Sequence, residues 1–472
     1  MGTAATPPRG AGADRAYRAT LEGLYRRRRF GLRPGLDVVR ALLGELGHPE
    51  RKMPAIHVTG SKGKGSVGAM AQAILSAHGL RTGLFTSPHL ASYRERIRVD
   101  RRPIDPAAIV DGVARIDAIA ERLEREGRID HPPTFFEVTT ALGLDWFARE
   151  GADAAVVEVG IGGRLDATNV LSARVGVVTT IELEHTDVLG PTLGAIAREK
   201  AGILHAGMTG VVGELPDEAR AVVYAEASRL GVPLWRLGTE IRVDDRTLAE
   251  DGQTFGVRVP GARFDAVHLP LLGRFQPTNA ALAIAAAVRF LGAAGRLADP
   301  DAVRRGLGSV EWPGRLERVA RRPDLYYDVA HTPESARAVA VSLAEISPLA
   351  DPAESVIVFG SLAGKDVDRI LEALAPLART LVVVPIKSER GMPPGDIRLR
   401  AVGRFPRVVV APSAPEGLRL ARAATGPEGF TLEIGSDYLI GELVRDPKRA
   451  GEEPDLSDPG VSGGPRAPGR PA

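Results

Sequence analysis

The residues with the most evident chemistry lie in one short run, His57-Val58-Thr59-Gly60-Ser61-Lys62-Gly63-Lys64-Gly65-Ser66. A strand-like apolar stretch, 55–58, enters three glycines with two embedded lysines. A helix-like stretch from about Ser66 to His78 follows. Glycines let backbone N–H groups turn toward an anion with no Cβ in the way, and a helix N-terminus adds partial positive charge. Lys64 would then reach terminal phosphates. The run departs from the standard phosphate loop, because Gly65 separates the lysine from Ser66 and Val58 stands where the first glycine belongs. Nucleotide binding is one reading; a glycine-rich turn with solvated lysines is the other.

Further polar groups fall at the ends of apolar runs. Glu158 closes 154–157 and leads into Gly160-Ile161-Gly162-Gly163-Arg164-Leu165-Asp166-Ala167-Thr168-Asn169. A carboxylate there is costly to bury unless it is paired or metal-bound, so Mg²⁺ or a salt bridge is expected. Leu165 occupies the last position of a GxGxxG pattern, which disfavours a dinucleotide site. Ser87, in Thr86-Ser87-Pro88-His89, could offer a hydroxyl to a metal or simply form a turn. His185 follows the 175–180 strand among Glu184 and Asp187, and is either a ligand or structural. Asp328 and His331 follow the strand-like 325–327, so both polar groups fall at a strand end; a mutually satisfied Asp–His pair is the plain alternative. Lys200, taken alone, is a surface lysine.

Apolar strands alternating with amphipathic helices predict a parallel sheet covered on both faces. The 472 residues imply two or three domains. We expect an unstructured start (1–13), a P-loop-type parallel-sheet ATPase domain (14–305), a smaller Rossmann-like α/β domain (309–445) and an unstructured tail (446–472). The break is expected at Gly306-Leu307-Gly308, before Trp312-Pro313-Gly314. Sixty-one Lys+Arg against 59 Asp+Glu leave a formal charge of +2, so no global field points to nucleic acid or an anionic membrane. With no cysteine, disulfides and thiolate chemistry are excluded. No run of about 18 apolar residues predicts a membrane span. A cytoplasmic, monomeric enzyme is the expectation.

Taken in order, these segments resemble the folylpolyglutamate synthase/dihydrofolate synthase family, relatives of the Mur ligases. The likeness runs from Thr59–Ser66 through Ser87-Pro-His-Leu with Arg94-Glu-Arg-Ile, and Glu158–Asn169, the most specific segment. It continues in Trp312-Pro-Gly-Arg315, Asp328…His331, Phe359-Gly…Lys365-Asp366 and Gly435-Ser436…Gly441. The resemblance implies an ATP- and Mg²⁺-dependent ligase that adds L-glutamate to a folate or dihydropteroate carboxylate through an acyl phosphate. It implies ATP contacts at Lys62, Gly63, Lys64, Gly65, Ser66, Asn279, Arg315 and Asp328, with His331 nearby. It implies two Mg²⁺ sites, using Ser87, Glu158, His185 and a carbamylated Lys200. Lys64, Lys200 and His331 would be catalytic. Thr134, Phe135, Phe136, Glu137, Leu165, Asp166 and Ala167 would form the pterin region.

Departures from the family pattern are Glu184 for Asp, Phe275 for His, and Val329 and Thr332 for Gly and Asn. None removes a charge the chemistry needs. The runner-up readings are a Mur-type ligase with another carboxylate acceptor, and a non-catalytic ATP-binding relative. A switch GTPase is disfavoured because no Asn-Lys-x-Asp segment is present.

Overall fold

The computed structural model describes residues 11–31 and 33–444. Residues 1–10 and 445–472, and with them most of both expected unstructured ends, lie outside the described residues. Helix Ala11–Arg26 begins inside the stretch expected to be unstructured. Its Tyr17, Leu21, Leu24 and Tyr25 recur at helical spacing and are buried, which gives the segment a core-facing side.

The first sheet has eight strands. Its centre is Ala55–Thr59, flanked in parallel by Ala154–Glu158 and Ala173–Val178. Thr82–Phe85, Thr209–Val212 and Leu234–Arg236 extend it in parallel, and Ile97–Val99 and Arg102–Pro103 close one edge antiparallel. The three central strands are apolar because both faces are covered. Helices Lys64–Ala77 and Gln276–Ala293 lie over one face, and Pro106–Arg125 and Phe135–Arg149 belong to the core on the other. The second sheet has six strands, in the order Glu317–Ala320, Asp324–Asp328, Phe430–Ile434, Val356–Phe359, Thr380–Val383, Arg407–Val410. All but the first are parallel. The protein is therefore α/β, as expected.

One feature differs from the sequence reading. A three-stranded antiparallel sheet, Arg242–Ala249, Gly252–Val259 and Ala262–Leu269, stands between the two parallel sheets in sequence. Its first strand alternates half-buried and exposed positions and is rich in charge, so it lacks the continuous apolar signature. Gly306-Leu307-Gly308 form the last turn of helix Pro300–Gly308, which packs on helix Lys64–Ala77, and the second sheet begins at Glu317. A Cβ on Gly306 would lie 2.7 Å from the Ala73 carbonyl oxygen, so this glycine permits close helix packing.

Glu433 is an anomaly in the second sheet. It is fully buried, and neither carboxylate oxygen has a hydrogen-bond partner. Burial, reinforced by Glu442, pushes its pKa well above the ordinary 4.5. The folded state then keeps a proton that the unfolded chain gives up, so this group costs stability as pH rises past the unfolded value. Glu433→Leu is expected to raise the melting temperature by ~2–4 °C near neutral pH and by less in mild acid. Equal melting of both proteins across that range would contradict this account of Glu433.

Candidate active site

The phosphate loop follows from the strand that feeds it. Gly60 and Gly63 have φ of +145° and +83°, conformations that a Cβ would strain. The loop is tied to the next strand's end, where Ser61 N donates to the Thr180 carbonyl and Lys62 N to Thr180 Oγ1. Thr179 Oγ1 donates back to the Lys62 carbonyl. Lys64, the first residue of the following helix, donates from Nζ to the Gly60 carbonyl at 2.8 Å. The loop is also crowded from outside. A Cβ on Gly63 would lie 2.6 Å from Asn279 Oδ1, and one on Gly65 2.8 Å from the Trp312 ring. Asn279 and the segment before Arg315 are thus brought onto the loop from distant sequence. Ser66 is buried beneath it.

Glu158 is buried at its strand's carboxyl end, where Oε2 accepts a hydrogen bond from Ser87 N at 3.1 Å. Burial raises its pKa against the pull of Lys64, Arg315 and Arg96. Glu184, His185 and Lys200 form a second group. Lys200 Nζ is 3.2 Å from Glu184 Oε1, and Lys62 Nζ is 3.5 Å from Glu184 Oε2. Burial works to raise the Glu184 pKa, but Lys64, Lys200 and Lys62 override it and hold it near 2. Lys200 is not a surface lysine. It is 2% exposed, and burial, with Lys64 beside it, lowers its pKa to about 8. Burial also keeps the His185 imidazole below its ordinary value.

The second sheet contributes from across the cleft. Asp328 is buried, accepts from Leu316 N and Ala330 N at 2.7 Å each, and is pushed by burial to about 6. Arg315 interacts with both Asp328 and Glu158, so it links the two sheets electrostatically. An Asp328–His331 pair does not form. His331 Nδ1 donates to the Val329 carbonyl at 3.0 Å, which leaves Nε2 as the acceptor nitrogen. Burial lowers the His331 pKa to about 4. Lys365 and Asp437 also belong here, interacting with Lys62 and His331 respectively. Neither was singled out for a role in the sequence, although the Gly364-Lys365-Asp366 wording was a usable signal.

All seven residues of the expected pterin region line one cavity of about 300 Å³. Phe135 and Phe136 start a helix capped by Thr134, and Glu137 completes the cap, its Oε2 accepting from Thr134 N at 2.8 Å. Leu165, Asp166 and Ala167 line the same cavity, as do Val188 and Glu199.

Among the described residues no three His, Cys, Asp or Glu side chains cluster as a metal site. The Ser87–Glu158 pair nevertheless suits Mg²⁺, which takes one or two protein ligands and completes its shell with phosphate oxygens and water. Glu158 is a buried carboxylate whose only hydrogen bond shown is from a backbone N–H, so a cation there would be compensated. The Glu184–Lys200 group, as an ion pair, offers no second metal site unless the amine is modified.

Residues 58–287 match the Mur ligase middle domain, and residues 314–436 the Mur ligase glutamate ligase domain. The dihydrofolate synthase/folylpolyglutamate synthase of Mycobacterium tuberculosis is 37% identical over 431 residues, which cover 89% of this chain and 85% of that protein. The structure of Mycobacterium tuberculosis folylpolyglutamate synthase complexed with ADP superposes with a TM-score of 0.85 at 35% identity, covering 92% of this chain and all of that one. E. coli FolC in complex with DHPP and ADP gives 0.79 at 29% identity, covering 90% and 96%. Likeness of this extent, on a fold that carries these groups, places the chain in the folylpolyglutamate synthase/dihydrofolate synthase family of Mur-type ligases.

Proposed function

We propose that the protein is an ATP-dependent ligase that joins L-glutamate to the carboxylate of a folate-type acceptor, with both dihydropteroate and reduced folates as acceptors. The observation that carries this reading is the cationic cluster Lys62, Lys64, Lys200 and Lys365, with Arg315, at the cleft beside an acceptor-sized cavity. Such a cluster suits the phosphates of ATP, and the cavity directs an acceptor toward them.

A carboxylate oxygen is a poor leaving group. Transfer of the ATP γ-phosphoryl to it breaks the terminal P–O bond and gives ADP and an acyl phosphate. The glutamate amine attacks the acyl carbon, the C–O bond to phosphate breaks, and phosphate leaves with the amide formed. Mg²⁺ held by Ser87 and Glu158 would neutralise charge on the phosphoryl oxygens. Lys64 and Lys62 bind and orient those oxygens, supported by the loop N–H groups of Gly63, Gly65 and Ser66. Asn279, Arg315 and Asp328 hold the nucleotide between the two sheets, and Arg315 excludes water as the cleft closes. His331 Nε2, the acceptor nitrogen, can accept a hydrogen bond from the glutamate amino group and orient it. Lys200, as a carbamate, would add an anionic ligand beside His185 for a second Mg²⁺. The pterin ring would sit among Phe135, Phe136 and Leu165–Ala167.

The test is phosphate release from Mg-ATP and glutamate, with dihydropteroate or tetrahydrofolate supplied separately. Release that requires both glutamate and an acceptor is expected with each. Release without an acceptor, or none with either, would overturn the assignment.

A further inference from the structure

We propose that His57 is a positioning residue for the acceptor, holding the Asp166 carboxylate at the cavity wall through the hydroxyl of Thr168. The inference rests on the acceptor reading above, and adds to it a residue on the nucleotide strand.

His57 is fully buried in the strand that runs into the phosphate loop. Its Nε2 lies 2.9 Å from Thr168 Oγ1. Thr168 Oγ1 in turn donates to Asp166 Oδ1 at 2.5 Å, and Thr168 N donates to the same oxygen at 3.0 Å. Asp166 Oδ2 accepts from Ile161 N at 3.0 Å. A hydroxyl has one proton to give. Since the carboxylate accepts it, the His57 contact must run the other way, with Nε2–H donating to the Thr168 oxygen. That fixes the tautomer and leaves Nδ1 without a proton, and Nδ1 is indeed buried with no hydrogen-bond partner. Burial, helped by His205, keeps the ring neutral. The relay is therefore one-directional, from imidazole to hydroxyl to carboxylate.

The same strand grips the acceptor loop a second time. Thr59, two residues on and so on the same strand face, donates from Oγ1 to the Gly162 carbonyl at 2.7 Å. The 160–169 loop is thus fastened at both ends to His57 and Thr59, on the strand that leads into the nucleotide glycines. Asp166 lines the acceptor cavity, where a carboxylate of fixed orientation can accept from the N–H edge of an amino-pyrimidinone ring. Without the relay each carboxylate oxygen keeps its backbone donor, but Oδ1 loses its shortest hydrogen bond and is held less firmly.

The experiment is steady-state kinetics on the full-length protein with dihydropteroate as acceptor, beside direct ADP binding and melting curves. Thr168→Val keeps the shape and removes the hydroxyl; His57→Leu removes the donor. Each is expected to raise the acceptor KM about tenfold or more, with the ATP KM and ADP affinity within about twofold. Thr168→Ser, which restores the hydroxyl, should return the acceptor KM to within about threefold of the parent. A Thr168→Val protein that melts normally with an unmoved acceptor KM overturns the proposal, and so do acceptor and ATP constants that rise together, the mark of general loosening. If His57→Leu does not fold, Thr168→Val and Thr168→Ser decide alone. An unmodified protein that is silent with every acceptor refutes the function itself and the relay's role with it. An active one with unmoved constants refutes only the relay.

Discussion

Lys64→Ala is expected to lower turnover by about a thousandfold or more while leaving a folded protein. The magnitude follows from the role. Phosphoryl transfer gains most of its rate from charges already placed where negative charge spreads, and Lys64 is the lysine fixed nearest the loop glycines. Its Nζ bonds to the Gly60 carbonyl at 2.8 Å and the Ser61 carbonyl at 3.4 Å, so its removal costs the loop only about 1–2 kcal/mol. It also contributes to holding Glu184 ionised and Lys200 depressed, so both groups should titrate closer to their ordinary values in the variant. Lys64→Arg should not restore the rate, because a planar guanidinium cannot replace a compact ammonium in this loop. A Lys64→Ala protein with a normal melting curve and turnover within tenfold of the parent would show that the loop does not act on the transferred phosphoryl.

Lys200→Ala is expected to cost about a hundredfold in turnover, and to abolish any dependence on bicarbonate. Burial and Lys64 lower the Lys200 pKa to about 8, so a useful share of the amine is unprotonated near neutral pH. Carbon dioxide adding to that free amine would form an N–C bond and release one proton. The product turns a cation into an anion beside Lys62 and Lys64, which favour it, and beside Glu184, which does not. A cation bound between the carbamate and His185 would relieve that repulsion. Labelled bicarbonate should therefore give a carbamate carbon resonance in the parent, strengthened by Mg-ATP and absent from Lys200→Ala. No resonance in the parent, together with an active Lys200→Ala, would leave Lys200 as a structural partner of Glu184.

The parts of the site that could be read in the sequence are those built locally. The phosphate loop is one contiguous run, and its strand, glycines, lysine and helix occur in the order the geometry needs. Glu158 and Asp328 were legible because a carboxylate that ends an apolar strand faces a cleft in this kind of sheet. The burial of Lys200 was not legible, since its partner Glu184 lies sixteen residues away beyond a turn. The His57–Thr168 contact spans 111 residues, and nothing in either residue's neighbourhood announces it. The plain alternative of an Asp328–His331 pair fails because the backbone amides of Leu316 and Ala330 take that carboxylate. In the fold, continuous apolar strands announced both parallel sheets, whereas the charged alternation of 242–249 concealed the antiparallel one. The close packing of Gly306 was not legible, because it depends on what lies opposite, here the Ala73 carbonyl.

The most direct test of the account follows oxygen from the acceptor. Dihydropteroate carrying ¹⁸O in its carboxylate is incubated with the protein, Mg-ATP and glutamate, and the released phosphate is analysed by mass. An acyl phosphate intermediate requires one carboxylate oxygen to depart with the phosphoryl group. The account predicts one ¹⁸O in each phosphate released, in step with amide formed. Amide formed with unlabelled phosphate, or labelled acceptor recovered intact while ATP is consumed, would contradict it.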